Sequence, residues 1–226
     1  MQNFVAQEYY EPLKLAFVKA ARVENAIQMK KYMRNQFEFL GIKTPVRKEL
    51  CKTFFQQYGF PNKENLSAVL LALWQENERE YQYAALDLLD MQKKNIDKPF
   101  ILVLEQLIIQ KSWWDTVDLL ASHAVANYFK QYPEMTKTIT EKFIESENMW
   151  LQRTCLIFQL LYKKQTDEKL LFDYIRICIE SQEFFIQKAI GWALRQYART
   201  NPTSVLQFVE NHTLKPLSKR EALKHL

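Results

Sequence analysis

VRKELC (46–51), YQYAAL (81–86), TVDLLA (116–121), LQRTCL (151–156) and IQKAIG (186–191) fall into register when the chain is laid over itself at an offset of 35 residues. Around these segments apolar residues recur at helical spacing: Leu86, Leu88 and Leu89, then Leu156, Ile157, Leu160 and Leu161, then Ile186, Ile190, Ala193, Leu194 and Tyr197. Such spacing places them on one face of a helix rather than on alternating faces of a strand. Between the helical stretches lie Gly41 to Pro45, Gly59 to Asn62, Asn95 to Pro99, Tyr132 to Pro133 and Asn201 to Pro202, where Pro, Gly or Asn can stop one helix and start the next. The chain reads as a repeat of about two helices per unit.

A period of this size belongs to helical solenoids such as HEAT or TPR arrays, whose units bury their apolar faces only by stacking on neighbours. Composition agrees. Three glycines among 226 residues is far below the usual share of roughly 7%, and β-rich folds need glycine for hairpin turns and bulges. The expected fold is all-α: a HEAT-like helical-repeat solenoid forming a single domain over residues 1–226, with a concave face that binds an extended partner. No apolar run is long enough to cross a bilayer, and the N-terminal MQNFVAQEYYEP lacks the basic and then apolar layout of a signal peptide, so a cytoplasmic location is expected. Cys51, Cys155 and Cys178 are odd in number, widely spaced and set among Phe, Leu and Ile. They read as small core residues in a reducing compartment. His123, His212 and His225 show no ligand spacing to one another or to the cysteines, and neither a metal nor a cofactor is expected.

Charge and aromatics single out a few positions. From Ser181 to the end, seven Lys or Arg stand against three acids, making that end a candidate phosphate-facing region, although a solvated basic surface explains the count as well. The repeat register lines up Lys48, Tyr83, Asp118, Arg153 and Lys188 as one row across the stacked helices. In KSWWDTVD, Trp114 and Asp118 are four residues apart and share a helix face; in IQKAIGWALRQYAR, Lys188, Trp192 and Arg195 do the same. Tryptophan at such spacing is usually core. A carboxylate and cations on the same faces would be costly to bury unpaired, which favours a wet, concave surface on which Trp114, Asp118 and Trp192 converge. A structural salt bridge between Asp118 and Arg153, of the common surface kind that contributes little, stays open as the alternative.

The stretches FLGIKTPVRKEL, KSWWDTVD, WLQRTCLIFQLLYK, EFFIQKAIGWALRQYARTNP and LSKREALKHL resemble the bacterial AlkD family of DNA alkylation repair glycosylases, from about Met29 to the C-terminus. The resemblance implies a HEAT-like solenoid that wraps duplex DNA in its concave face and hydrolyses the N-glycosidic bond of N3- and N7-alkylated purines without needing to flip the base. By that resemblance Trp114 and Trp192 are the active-site tryptophans and Asp118 the catalytic aspartate. Arg153 lies beside the active site, Arg195 contacts DNA, and Tyr32 is an aromatic near the lesion. Thr44 and Arg47, in the KTPVR turn, match a region that meets the backbone.

The chemistry suits these residue types. Alkylation at N3 or N7 leaves the purine cationic and already a good leaving group. What remains is to stabilise positive charge on the base and on the sugar as the bond stretches, which indole faces and one carboxylate can do. Asp118, paired with a cation such as Arg153, is expected to stay ionised, oppose the sugar cation and position the attacking water. Lys188, Arg195, Arg153, Lys219 and Arg220 are expected to carry phosphate contacts, so that a monomer binds double-stranded DNA independently of sequence and with a steep salt dependence. Within LSKREALKHL, Ser218 and Glu221 have capping-box spacing, which predicts a helix beginning at Ser218. A non-catalytic helical-repeat scaffold for nucleic acid or protein is the rival reading, because the fold alone does not imply an enzyme.

Overall fold

A computed structural model describes residues 4–225; residues 1–3, with which the stretch read for a leader begins, and residue 226 lie outside them. The described residues hold fourteen α-helices and no named β-strand. They are α1 (Ala6–Ala20), α2 (Val23–Tyr32), α3 (Thr44–Tyr58), α4 (Lys63–Gln75), α5 (Arg79–Gln92), α6 (Ile101–Ile109), α7 (Trp114–Leu119), α8 (Ala126–Gln131), α9 (Thr136–Ile144), α10 (Met149–Ile157), α11 (Glu168–Cys178), α12 (Phe184–Ala198), α13 (Pro202–Asn211) and α14 (Pro216–Ala222). The chain divides into two compact units, residues 1–103 and 104–226, with the division falling inside α6.

The repeat is visible in the helix starts. α3, α5, α7, α10 and α12 begin at Thr44, Arg79, Trp114, Met149 and Phe184, each 35 residues after the last. Between successive members sits one further helix of the pair, α4, α6, α9 or α11, apart from the short α8 that continues from α7. The expected breaks hold, and several of the helix ends have a local reason. Gly59 ends α3 at φ 73°, a conformation that costs a side chain strain. Asn62, Asn148, Asp167 and Asn201 each cap a helix by accepting a backbone N–H with the side chain. At the fifth register position Ala85, Leu120, Cys155 and Ile190 are buried and Leu50 is half-buried. The three cysteines are free and buried, and burial pushes the Cys51 thiol up to about 12 and that of Cys178 to about 11.

One device recurs with the period. Gln82, Gln152 and Gln187 occupy the same register position, and each donates its side-chain amide to carbonyls at the end of the preceding helix or in the turn after it. Gln82 reaches Trp74 O at 3.1 Å and Glu76 O at 2.8 Å, Gln152 reaches Ser146 O at 2.8 Å, and Gln187 reaches Ser181 O at 3.2 Å. These carbonyls are the ones a helix C-terminus leaves without an intrahelical partner. At these three junctions the glutamine fastens its own helix to the preceding one.

Within the first unit, α1 packs on α3 and α4, and α5 on α3 and α4. Glu80, buried at the start of α5, accepts the backbone N–H groups of Leu40, Gly41 and Ile42 and so anchors the FLGIK turn. Gly41 is needed there: its φ is 83°, and an added Cβ would lie 2.0 Å from Arg22 O. In the second unit, α10 packs against α7, α9, α11 and α12, and α14 lies along α12. Among the described residues no helix is long and apolar enough to cross a membrane.

Candidate active site in the second unit

α7 is a short helix whose first residue is Trp114, so Trp114 and Asp118 stand one turn apart on it. After Leu119 the backbone widens into a π-helical turn, Leu120–Val125, and the Ser122 hydroxyl donates to the Asp118 carbonyl at 2.6 Å. Wide turns of this kind inside helices occur often at functional sites; the sequence reading did not anticipate it.

Asp118 and Arg153, neighbours in the 35-residue row, meet. Arg153 Nε donates to Asp118 Oδ1 at 2.7 Å and Nη2 to Oδ2 at 2.9 Å, a two-pronged pair, while Nη1 donates to the Phe185 carbonyl at the start of α12. The Arg153 side chain is 5% exposed and that of Asp118 16%. The pair left open as a surface contact is therefore a largely buried one, and Arg153 can be packed away because each of its three side-chain nitrogens has a partner. Asp118 keeps a narrow opening, and each carboxylate oxygen has a further acceptor direction beyond the one Arg153 uses. Burial pushes the Asp118 carboxyl above the ordinary carboxylate value; the hydrogen bonds and charge of Arg153 pull it back, and Asp115, three residues earlier, adds a smaller upward push.

Beneath Arg153 lies an aromatic cluster that sequence reasoning also missed. Trp113, Trp150 and Phe185 approach pairwise with ring centroids 6.0, 5.1 and 5.0 Å apart, and the Arg153 guanidinium sits 5.9 Å from the Phe185 ring. Trp150 and Phe185 are 35 residues apart, so the register held a signal for two of the three rings. The cluster joins the ends of α7, α10 and α12, and α12 carries Trp192 two turns further on, half-buried.

The cations of α12 are not free. Lys188 Nζ lies 3.0 Å from Glu221 Oε1; Arg195 Nη1 lies 2.6 Å from Glu221 Oε2 and 3.0 Å from the Glu221 carbonyl. These two cations hold the Glu221 carboxyl down at about 2. The expected capping box is corrected at the same place. α14 begins at Pro216, after Lys215, so Ser218 is inside the helix; its hydroxyl donates to Gln187 O at 3.0 Å, and Glu221 faces α12 instead of its own N-terminus. α14 can come this close because residue 191 is glycine: an added Cβ would lie 2.4 Å from Glu221 Cβ and 2.8 Å from Ser218 O. Lys219 and Arg220 are exposed on α14.

The remaining candidates are in the first unit. Tyr32, the last residue of α2, is 70% exposed, and Thr44 is exposed at the start of α3. Arg47 is buried, ion-paired with Asp87, with its guanidinium 5.2 Å from the Tyr83 ring. Its surroundings are those of a residue that fixes the α3–α5 packing. Among the described residues no three His, Cys, Asp or Glu side chains gather as metal ligands.

The chain matches the model of the DNA alkylation repair enzyme family over residues 13–226. A structure described as a predicted DNA alkylation repair enzyme from Enterococcus faecalis is 36% identical, covers 91% of this chain and 96% of its own, and superposes with a TM-score of 0.85. AlkD2 from Streptococcus mutans shares the fold at 20% identity and a TM-score of 0.64, over 88% of this chain and 99% of its own. Comparison with curated protein sequences finds no match. With a family match across nearly its whole length and a close structural likeness at 36% identity, the chain belongs to the DNA alkylation repair enzyme family.

Proposed function

We propose that the protein is a DNA glycosylase that hydrolyses the N-glycosidic bond of cationic N3- and N7-alkylated purines in duplex DNA, acting as a cytoplasmic monomer and without flipping the base. The observation that carries this reading is the two-pronged Asp118–Arg153 pair, largely buried yet with 16% of the Asp118 side chain exposed, one turn from Trp114 on α7. A carboxylate held by one arginine in a dry setting is a fixed negative charge, and fixed charges act most strongly where water is excluded.

The bond between the sugar C1′ and the purine nitrogen breaks with its electron pair going to the base, which leaves neutral. Asp118 opposes the positive charge that develops on the sugar. A water attacks C1′ and gives its proton to the Asp118 carboxylate, which passes it to solvent. No general acid is needed, since the alkyl group has already made the base cationic. Arg153 holds both carboxylate oxygens in place, and the indoles of Trp114 and Trp192 contribute cation–π stabilisation of about 0.5 to 2 kcal/mol each. Lesion choice then follows charge and bond lability rather than a pocket that reads the base edges, so base flipping is unnecessary.

The rival is a scaffold that binds duplex DNA without cutting it, in which Asp118 serves only as the partner of Arg153. Release of free base from duplex DNA carrying N7-methylguanine separates the two. Wild-type release, lost in Asp118→Asn at saturating protein, supports the glycosylase. Tight binding with no release from this or an N3-methyladenine duplex leaves the scaffold.

A further inference from the structure

The proposal here rests on the DNA-binding reading above and concerns a residue that reading did not assign. Lys188 and Arg195 are the α12 cations best placed by sequence to meet phosphate, yet both are drawn onto one carboxylate, with Glu221 Oε1 3.0 Å from Lys188 and Oε2 2.6 Å from Arg195. The acid is set there by packing. Gly191 admits the Glu221 Cβ, Ser218 ties α14 to the Gln187 carbonyl, and Arg195 also grips the Glu221 carbonyl. Glu221 is 15% exposed, whereas Lys188 is 38% exposed and Arg195 21%, so the cations are the open side of the triad.

We propose that Glu221 limits the corner between α12 and α14 to a single backbone phosphate by holding Lys188 and Arg195 in one ion-paired triad of net charge +1. One phosphodiester brings such a site to neutrality. A second would leave an uncompensated negative charge beside a largely buried acid, which is costly. Glu221 remains ionised at any pH at which duplex DNA is handled, because the two cations hold its carboxyl at about 2. The function of the limit is to restrain sequence-independent binding, which grows with every phosphate neutralised.

The test is the affinity of the full-length protein for an undamaged duplex, followed from 50 to 200 mM KCl, for wild type, Glu221→Gln and the double variant Glu221→Gln/Lys188→Gln. Freeing one cation steepens the slope of log K against log salt by about 0.9. With convergence near 1 M, Glu221→Gln then binds about fifteenfold tighter than wild type at 50 mM and about fourfold tighter at 200 mM. The double variant restores the net charge of +1 while losing the same ion pairs, and its slope returns to the wild-type value. An unchanged slope in Glu221→Gln, or a double variant that fails to return, overturns the proposal, the latter because a loosened α14 and not charge would then explain the change. Wild type that does not bind the duplex at 50 mM refutes the DNA-binding reading itself, which no charge variant imitates.

Discussion

Replacing Arg153 by Met tests whether the Asp118–Arg153 pair is a buried structural and functional unit. Its two bonds of 2.7 and 2.9 Å are made by side chains only 5% and 16% exposed, and a third bond runs to the Phe185 carbonyl. Taking away one partner of such a pair leaves a buried charge without compensation and costs about 3 to 5 kcal/mol. A surface pair would cost about 0 to 1 kcal/mol. Asp118→Asn should cost a similar amount to Arg153→Met, because it leaves the permanently charged and more deeply buried Arg153 without its counter-charge. The double variant Asp118→Asn/Arg153→Met removes both charges, so its loss should fall short of the sum of those two single losses by about 2 kcal/mol or more, given that coupled neighbours depart from additivity by up to about 3 kcal/mol. Urea unfolding followed by circular dichroism measures all of these. The pH profile of base release adds a functional reading. Arg153 pulls the Asp118 carboxyl down against its burial, so without it the carboxylate is protonated at higher pH and the acid limb of the profile moves up. Single variants that each lose less than 1 kcal/mol, add within 0.5 kcal/mol and leave the acid limb in place would refute the reasoning.

Three further outcomes are expected. Gly191→Ala should lower stability by about 1 to 3 kcal/mol in urea unfolding, because overpacking against Glu221 and Ser218 outweighs the gain of about 1 kcal/mol in helix propensity; a variant more stable than wild type would show that α14 yields without cost. Glu221 has a depressed carboxyl, so its stabilisation is present above its ordinary value of 4.5 and is lost as pH falls towards about 2. After discounting for solvent screening this amounts to about 1 to 2 kcal/mol, and it should vanish from the difference between pH 5 and pH 2 unfolding curves in Glu221→Gln. Trp192→Ala should slow single-turnover release of N7-methylguanine by about 2- to 30-fold, the range a lost cation–π contact allows, with Trp192→Phe intermediate and Asp118→Asn slower than either.

Much of the architecture was legible because helical periodicity and capping are local. The 35-residue offset depends only on which residues are apolar and where Asn, Gly or Pro interrupts them, and five helices begin on that offset from Thr44 to Phe184. The recurring glutamines were equally visible, at the second position of three of the five aligned segments, but nothing in a sequence tells a clasping amide from a solvated one. The Ser218 capping box failed for a related reason. Its spacing was right, yet Pro216 starts the helix two residues earlier, and a hydroxyl already inside a helix is free to bond a neighbouring one.

What the sequence determined by itself was the helical class, the period, and the placing of Trp114, Asp118, Arg153, Lys188 and Trp192 on three register-equivalent helices. What only the tertiary structure decided was how the charges are shared: Arg153 buried against Asp118 and the Phe185 carbonyl, Arg47 committed to Asp87, and Lys188 and Arg195 both drawn onto Glu221. Periodicity is a property of neighbours along the chain, set by the turn of the helix. Ion pairing depends on distances of a few ångströms between residues that lie 26 to 40 positions apart, and only packing brings those together.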